Sequence, residues 1–444
     1  MNKYFLTLNA ALDGSSRFGK EIKNSISLFD SKFGLFSSVA AGWLVSSENF
    51  MANIRSIEML KLRVSYGTTG NDVIGNYTAQ QTYVSQNFLG AQGIVTGNVG
   101  NSALQWETVK KLNAGMDLSL FDERLSISVD VYKNKTSNML VYEQTPTITG
   151  LQNILTNNGK MENTGVDLAL NTRILNGQIT WDAGFNIMTY KNRVTQVPNG
   201  SMTTSFAGAT ILTQVGSPAG VFFGYQTNGV YTSDEEANSD GKFIRQSNGT
   251  LVPFQGGDVR FVDRDGNGII DDNDRTVIGN PNPDFSGMFN NHLQWKKFTL
   301  DATFTFVSGN KVFDYTRARL ESGSALENQS VRVVNRWRTD GQITDVPKAT
   351  WGDPMGNSRF SDRWIEDGSY LRLRALTLAY NLSLKSKYIK YSTIYLTGNN
   401  LLTMTKYLGY DPEFSATNSV LSQGINTGQV PQFTSILLGV KIGL

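Results

Sequence analysis

Apolar and polar residues take turns along much of this chain. From Lys111 to Thr136, Leu112, Ala114, Met116, Leu118 and Leu120 alternate with Lys111, Asn113, Gly115, Asp117 and Ser119. A turn at Phe121-Asp122-Glu123-Arg124 follows, and Leu125, Ile127, Val129 and Val131 then alternate with Ser126, Ser128, Asp130 and Tyr132. A period of two predicts two strands, each with one oily and one wet face. The pattern returns at Val166–Leu170, passes an Asn176-Gly177 hairpin signal, and continues through Ile179, Trp181, Ala183, Phe185 and Ile187. Phe289, Leu293 and Trp295 lead through a Lys296-Lys297 turn to Phe298, Leu300, Ala302, Phe304 and Phe306. Leu60–Tyr66 is a shorter copy, and Ile436, Leu438, Val440, Ile442 and Leu444 close the chain. In Tyr370–Leu382 the parity changes, with Leu371 and Leu373 on one count and Leu376, Leu378, Tyr380 and Leu382 on the other; we read this strand as running past an apolar band, with Arg372 and Arg374 outside it. Tyr4–Leu12 reads as a strand rather than a signal-peptide core, because Asn9 interrupts it and Asp13 stands where a small cleavage residue belongs.

Roughly a dozen such strands emerge, several of the length that crosses a bilayer as a β-strand. Two long regions, Asn192–Asp284 and Ser308–Asp367, lack the pattern. Loops of that length are uncommon and usually functional. Short turns on one side and long loops on the other is the layout of an outer-membrane barrel, and Trp181, Trp295, Tyr190 and Tyr66 near strand ends fit its aromatic girdles. A soluble β-sandwich or propeller is the rival; no fixed-period repeat supports the propeller.

Composition sharpens this picture. Charged residues are 18% of the 444, below the roughly 25% of soluble domains, and 43 glycines and 11% aromatics suit a barrel. No run reaches the ~18 apolar residues of a membrane helix, which leaves a β-barrel open. With no cysteine, thiol chemistry and Cys-ligated metals are excluded; with His292 as the one histidine, His-rich sites are excluded too. A net charge of +2 gives no drive toward nucleic acid. His292 shares the polar parity of its strand and reads as a lumen or surface residue, Asp234-Glu235-Glu236 as a solvated turn or helix start, and Gly90–Gly100 lacks phosphate-loop order. No catalytic constellation is present, so an enzyme is not expected.

One motif carries chemistry. The run from Asp263 to Asp274 places Asp263, Asp265 and Asn267 at loop positions one, three and five, Gly268 at six, the Ile269 carbonyl at seven, Asp271 at nine and Asp274 at twelve. Calcium needs six to eight hard oxygens at about 2.3–2.6 Å, and this spacing curls them around one ion. Asp274 is shorter than the usual Glu, and Pro281 and Pro283 argue against flanking helices. A structural calcium loop is expected; a merely solvated acidic turn is the alternative.

Several blocks resemble one family in order along the chain: Asp13-Gly14-Ser15-Ser16-Arg17-Phe18-Gly19, Leu104-Gln105-Trp106-Glu107, Lys160-Met161-Glu162-Asn163-Thr164-Gly165, Gly216-Ser217-Pro218 with Phe223-Gly224-Tyr225, Gly257-Asp258-Val259-Arg260-Phe261, Gly279-Asn280-Pro281-Asn282-Pro283-Asp284-Phe285, Asp367-Gly368-Ser369-Tyr370-Leu371-Arg372-Leu373-Arg374, Gly398-Asn399-Asn400-Leu401-Leu402, and Tyr410-Asp411-Pro412-Glu413. They resemble the C-terminal barrel of SusC/RagA TonB-dependent outer-membrane transporters of Bacteroidota. The resemblance implies an all-β, antiparallel transmembrane barrel of 22 strands with long extracellular loops, to which residues 1–444 contribute the C-terminal strands. It implies import of glycans or peptides across the outer membrane, a plug within the barrel, a SusD-like surface lipoprotein as lid, and TonB pulling the plug. Nothing here resembles the plug or the TonB-contacting segment, and Leu444 stands where such barrels end in an aromatic residue. The chain therefore reads as a C-terminal fragment or truncated product. The rival is a secreted, calcium-stabilised glycan-binding β-sandwich protein, whose strand faces would not be oily on the outside.

Overall fold

The alternation becomes one sheet. The computed structural model describes residues 3–443 apart from 20, 22–24, 29–30, 146–147, 149–152, 383–387, 415, 418 and 420–421. Leu444, with Met1 and Asn2, lies outside the described residues. The wall strands are β1 (Tyr4–Gly14), β2 (Ser31–Leu44), β3 (Ile57–Asn71), β4 (Glu107–Leu120), β5 (Leu125–Gln144), β6 (Asn153–Asn176), β7 (Ile179–Gln196), β8 (Phe285–Trp295), β9 (Phe298–Ser308), β10 (Tyr370–Leu382), β11 (Tyr391–Thr405) and β12 (Ser435–Gly443). Each pairs antiparallel with the next in chain order, and Ile26–Leu28 adds a short strand beside β2, making a 13-stranded sheet. Connections alternate. Tight turns join β4 to β5, β6 to β7 and β8 to β9, whereas β3–β4, β7–β8, β9–β10 and β11–β12 are joined by long excursions on the opposite rim.

The apolar parity faces outward. Leu112 and Val131 are each 48% exposed and Leu396 is 46% exposed, so no second sheet covers these rows. That observation removes the sandwich, in which the same leucines would be dry. The polar parity lines the concave face, where Arg63 pairs with Asp117 (2.7 Å) and Asp130 (3.0 Å) and Ser128 donates to Asp117 (2.8 Å). Near the short turns, Trp295 stacks on Phe298 and Phe298 meets Tyr380 at 4.8 Å, while the Trp181 indole N–H donates to Asn291. These outward rings form the expected girdle. Tyr190 is a correction: it has the inward parity of β7, and its hydroxyl donates to Asn282 (3.3 Å).

The parity change in β10 also has a different cause from the expected one. Pairing slips by one residue between Leu373 and Ala375 against β11, and between Thr303 and Phe304 against β9. A β-bulge at Arg374 inserts one residue and returns the following leucines to the outward face. Leu371 (41% exposed) and Leu378 (48% exposed) thus share the lipid side, and Arg372 turns inward, only 1% exposed.

The two regions without strand pattern are not structureless. Short strands fill them: Ser201–Phe206, Ala209–Gln214, Val221–Gly224 and Thr276–Gly279 form one four-stranded sheet, with smaller ladders around Phe243–Arg245 and Lys311–Asp314. Helix α1 (Asp234–Asp240) starts where Ser233 Oγ accepts the Glu236 amide and stops at Gly241, whose φ of 63° suits a residue without Cβ. Two of the buried clusters among the described residues sit here, above the wall. One cluster gathers Tyr231, Ile244, Phe254, Phe261 and Ile270; another gathers Ile211 and Phe222 from the β7–β8 excursion, Phe313 and Trp364 from the β9–β10 excursion and Ile425 from the β11–β12 excursion, hereafter the first, second and third. Asp258, fully buried, accepts from Gln255 N–H (2.9 Å) and Asn357 Nδ2 (2.9 Å) and pairs with Lys348 (3.2 Å), tying the first excursion to the second. The Trp337 indole donates to the Thr232 carbonyl across the same seam.

Candidate functional site

Two places concentrate polar chemistry: the acidic loop in the cap and the inner face beneath it. The loop lies between Val259–Phe261 and Ile269–Ile270, strands whose Phe261 and Ile270 side chains are buried in the first cap cluster. That anchoring fixes both ends of the loop. Within it the chain curls around its own carboxylates. Asp263 accepts the amides of Gly266 and Gly268 (2.8 Å each), Asp265 accepts the Asn267 amide (3.1 Å), and Asn267 Oδ1 accepts the Ile269 amide (2.7 Å). Asp274 is fully buried and takes the Arg264 amide (2.7 Å) and the Asp271 amide (2.8 Å).

Of the expected ligands, Asp263, Asp265 and Asp274 each bring a carboxylate oxygen within 4.8 Å of the others. Oxygens on opposite sides of one calcium stand roughly 4.6–5.2 Å apart, so the spacing of this group is compatible with one ion. Ile269 opens a two-residue strand running parallel to Phe243–Arg245. Asp271 is placed differently: its Oδ1 accepts the Asn273 amide (2.8 Å), capping the turn Asp272–Asp274. The all-oxygen donor set fits a hard divalent cation. Next to it, Tyr225 donates to Asp272 (3.2 Å), and Arg359 stacks on Tyr225 (4.9 Å) and Phe261 (4.7 Å). Burial pushes the Arg359 guanidinium below its ordinary range. The loop is thereby wired into the cap core rather than left hanging in solvent.

On the inner face a concavity of about 730 Å³ is lined by Asn171, Arg173, Asp182, Asn290, His292 and Asp301. Register carries Arg173, Asp182, His292 and Asp301 across four consecutive strands, with Arg173–Asp182 at 2.8 Å and His292 Nδ1–Asp301 at 2.6 Å. His292 thus lies on the inner face, one of the two placements its parity allowed. Higher up, Arg372 donates to Glu413 (2.8 Å) and Thr403 (3.0 Å) and pairs with Asp411, while Arg374 reaches the same Glu413 (2.7 Å). Asp411 also takes the amides of Glu413 (2.8 Å) and Gln432 (2.9 Å). This cluster fastens the third excursion, 406–434, to the wall. Reasoning along the sequence did not single it out, since its members lie some forty residues apart in chain and meet only in space; two arginines amid leucines in β10 were the available signal.

A wall with an oily outer face, a polar concave face, tight turns on one rim and a folded cap on the other defines an outer-membrane β-barrel of the receptor type. The family model described as TonB dependent receptor-like, beta-barrel matches residues 2–401, and the chain belongs to that family. TonB-dependent receptor P3 of Formosa agariphila is 34% identical over 417 residues, covering 90% of this chain and 40% of that protein. TonB-dependent receptor SusC of Bacteroides thetaiotaomicron is 27% identical over 398 residues, covering 86% of this chain and 36% of its own length. Among solved structures, the RagAB peptide importer in its closed-closed state superposes with a TM-score of 0.79 at 26% identity, over 99% of this chain and 46% of that one. The chain therefore spans less than half the length of these relatives.

Proposed function

We propose that this chain forms part of the wall and the extracellular cap of a TonB-dependent outer-membrane importer for large nutrients, glycans or peptides. The observation that carries the reading is the likeness to the RagAB peptide importer across nearly the whole chain, joined to an inner face that stays polar from Arg63 to Glu413. TonB acts through a plug region that these residues do not include, and a SusD-like surface lipoprotein closes over the cap. The exposed apolar side chains Val331 (85%), Ile343 (90%) and Trp351 (72%) offer that lipoprotein a surface. The role is transport rather than catalysis: the polar groups of the inner face sort and pass cargo without breaking bonds in it. Growth of the source bacterium on a panel of oligosaccharides and peptides tests this. Deleting the gene is expected to abolish growth on one cargo class, as is deleting tonB, and the protein is expected in the outer-membrane fraction. Recovery in the soluble periplasm, with growth unaffected by either deletion, would refute it.

We read Asp263–Asp274 as a structural calcium loop, with Asp263, Asp265, Asn267, the Ile269 carbonyl and Asp274 holding the ion and Asp271 reaching it through water. Calcium would neutralise three converging carboxylates and stiffen the turn between Phe261 and Ile270. Extracellular sites of this sort bind at about 10⁻⁴–10⁻³ M. Millimolar calcium should slow proteolysis of the cap, EGTA should restore it, and Asp265→Ala should remove the difference. Equal cleavage with and without calcium in the wild type would leave the loop a solvated turn.

A further inference from the structure

The outward face is apolar almost everywhere except near the cap side of four neighbouring strands. Register places Lys110 of β4 beside Lys135 of β5, Lys135 beside Glu162 of β6, and Glu162 beside Arg193 of β7. One residue pair nearer the short turns, the same face carries Leu112, Lys133, Thr164 and Lys191 in register. The row below that is Ala114, Val131 and Val166, where the oily band begins. Lys133 and Lys135 both contact Glu162 at 3.1 Å. Among the described residues no acidic side chain pairs with Lys110, Lys191 or Arg193, and all three are exposed. Five cations thus surround one carboxylate.

Their height is informative. Strands rise ~3.3 Å per residue and tilt by about 40°, so Lys110, Lys133 and Lys191 stand roughly 20–30 Å along the membrane normal from Leu120, Leu125 and Ile179 at the short-turn rim. The apolar band of such barrels is about 25 Å tall. The cations therefore sit at the level of lipid headgroups in the leaflet facing the cap. Elsewhere around the wall this stretch of the outward face carries no such charge: Val39 and Tyr66 occupy the Lys133 row on β2 and β3, and Phe285, Phe306, Leu371 and Met404 lie outward toward the cap end of β8 to β11. The patch is local, not a general basic collar.

We propose that Lys110, Lys133, Lys135, Lys191 and Arg193 form a binding site for the phosphate headgroup of an anionic lipid in the outer leaflet. Ammonium and guanidinium groups gather phosphate oxygens by charge-assisted hydrogen bonds, while the acyl chains lie against Ala114, Val131 and Val166 below. Glu162 spaces the two β5 lysines and limits the affinity.

The test uses the complete transporter carrying these strands, purified in detergent, with native mass spectrometry of added phosphatidic acid, phosphatidylcholine or inorganic phosphate. Wild type should hold phosphatidic acid about tenfold more tightly than phosphatidylcholine, more weakly in high salt, and without displacement by millimolar inorganic phosphate. Converting all five cations to Gln should erase the preference; converting the four lysines to Arg should keep it, and Glu162→Gln should strengthen it. Heat-modifiable migration reports folding of each variant. Should the Gln variant fail to fold, the salt response and Glu162→Gln decide. Equal retention of the two lipids by wild type, an unchanged preference in the folded Gln variant, or complete displacement by inorganic phosphate would each overturn the assignment.

Discussion

Trp364→Ala should unfold the cap while leaving the barrel wall inserted. The indole is 1% exposed and packs with Phe222 from the first excursion, Phe313 from its own and Ile425 from the third. Its Nε1–H donates to the Arg359 carbonyl (3.1 Å), and Arg317 and Arg363 lie over its ring at 5.5 and 4.9 Å. Burial pushes the Arg363 guanidinium down to about 10, so it stays charged at neutral pH and keeps the ring contact. Truncating a buried Trp costs about 3–5 kcal/mol. That is comparable to the whole stability of a small folded unit. Limited proteolysis should therefore cut within 197–369 in the variant, while the wall keeps its heat-modifiable band. Trp364→Phe, which loses mainly the N–H bond, should cost only about 1 kcal/mol. Wild-type protease resistance in Trp364→Ala would mean that the three excursions do not share a core.

Arg372→Ala should release the third excursion. Removing the guanidinium leaves Asp411, 8% exposed, without its cation and Glu413 with only Arg374. Breaking a buried pair from one side costs roughly 3–5 kcal/mol, because the remaining charge stays desolvated. Arg372→Lys should recover only part of this, since one ammonium cannot span Asp411, Glu413 and Thr403 as the planar fork does. Adding Asp411→Asn to Arg372→Ala should restore part of the stability, giving a clear coupling in a double-mutant cycle. Hydrogen exchange across 406–434 is the readout. Unchanged protection in Arg372→Ala would show that the segment is held by other contacts.

How much of this could be read beforehand depends on strand length. Rows such as Leu112–Leu120 and Phe298–Phe306 repeat often enough for alternation to reveal both faces, and the wall follows from them. Cap strands of two to six residues, such as Ile269–Ile270 and Ser201–Phe206, offer too few alternations, so a folded cap looked like long loops. The bulge at Arg374 was misread because a one-residue slip and a change of environment leave the same trace in sequence. The Asp263 to Asp274 spacing was legible since its residues are contiguous, and three of its carboxylates lie together in space, while Asp271 also caps the turn Asp272–Asp274. Asp258 with Lys348, and Arg372 with Asp411, were not legible, because nothing local marks partners so far apart in the chain.

The seam at Asp258 has a mechanical consequence. The excursions it joins leave the wall between β7 and β8 and between β9 and β10, four adjacent strands, so they are rooted side by side and locked together at the top. Force applied at the exposed Val331–Ile343 stretch is therefore expected to reach the Phe261–Ile270 turn through the Lys348–Asp258 contact, so whatever grips that stretch would gain leverage over the carboxylate turn.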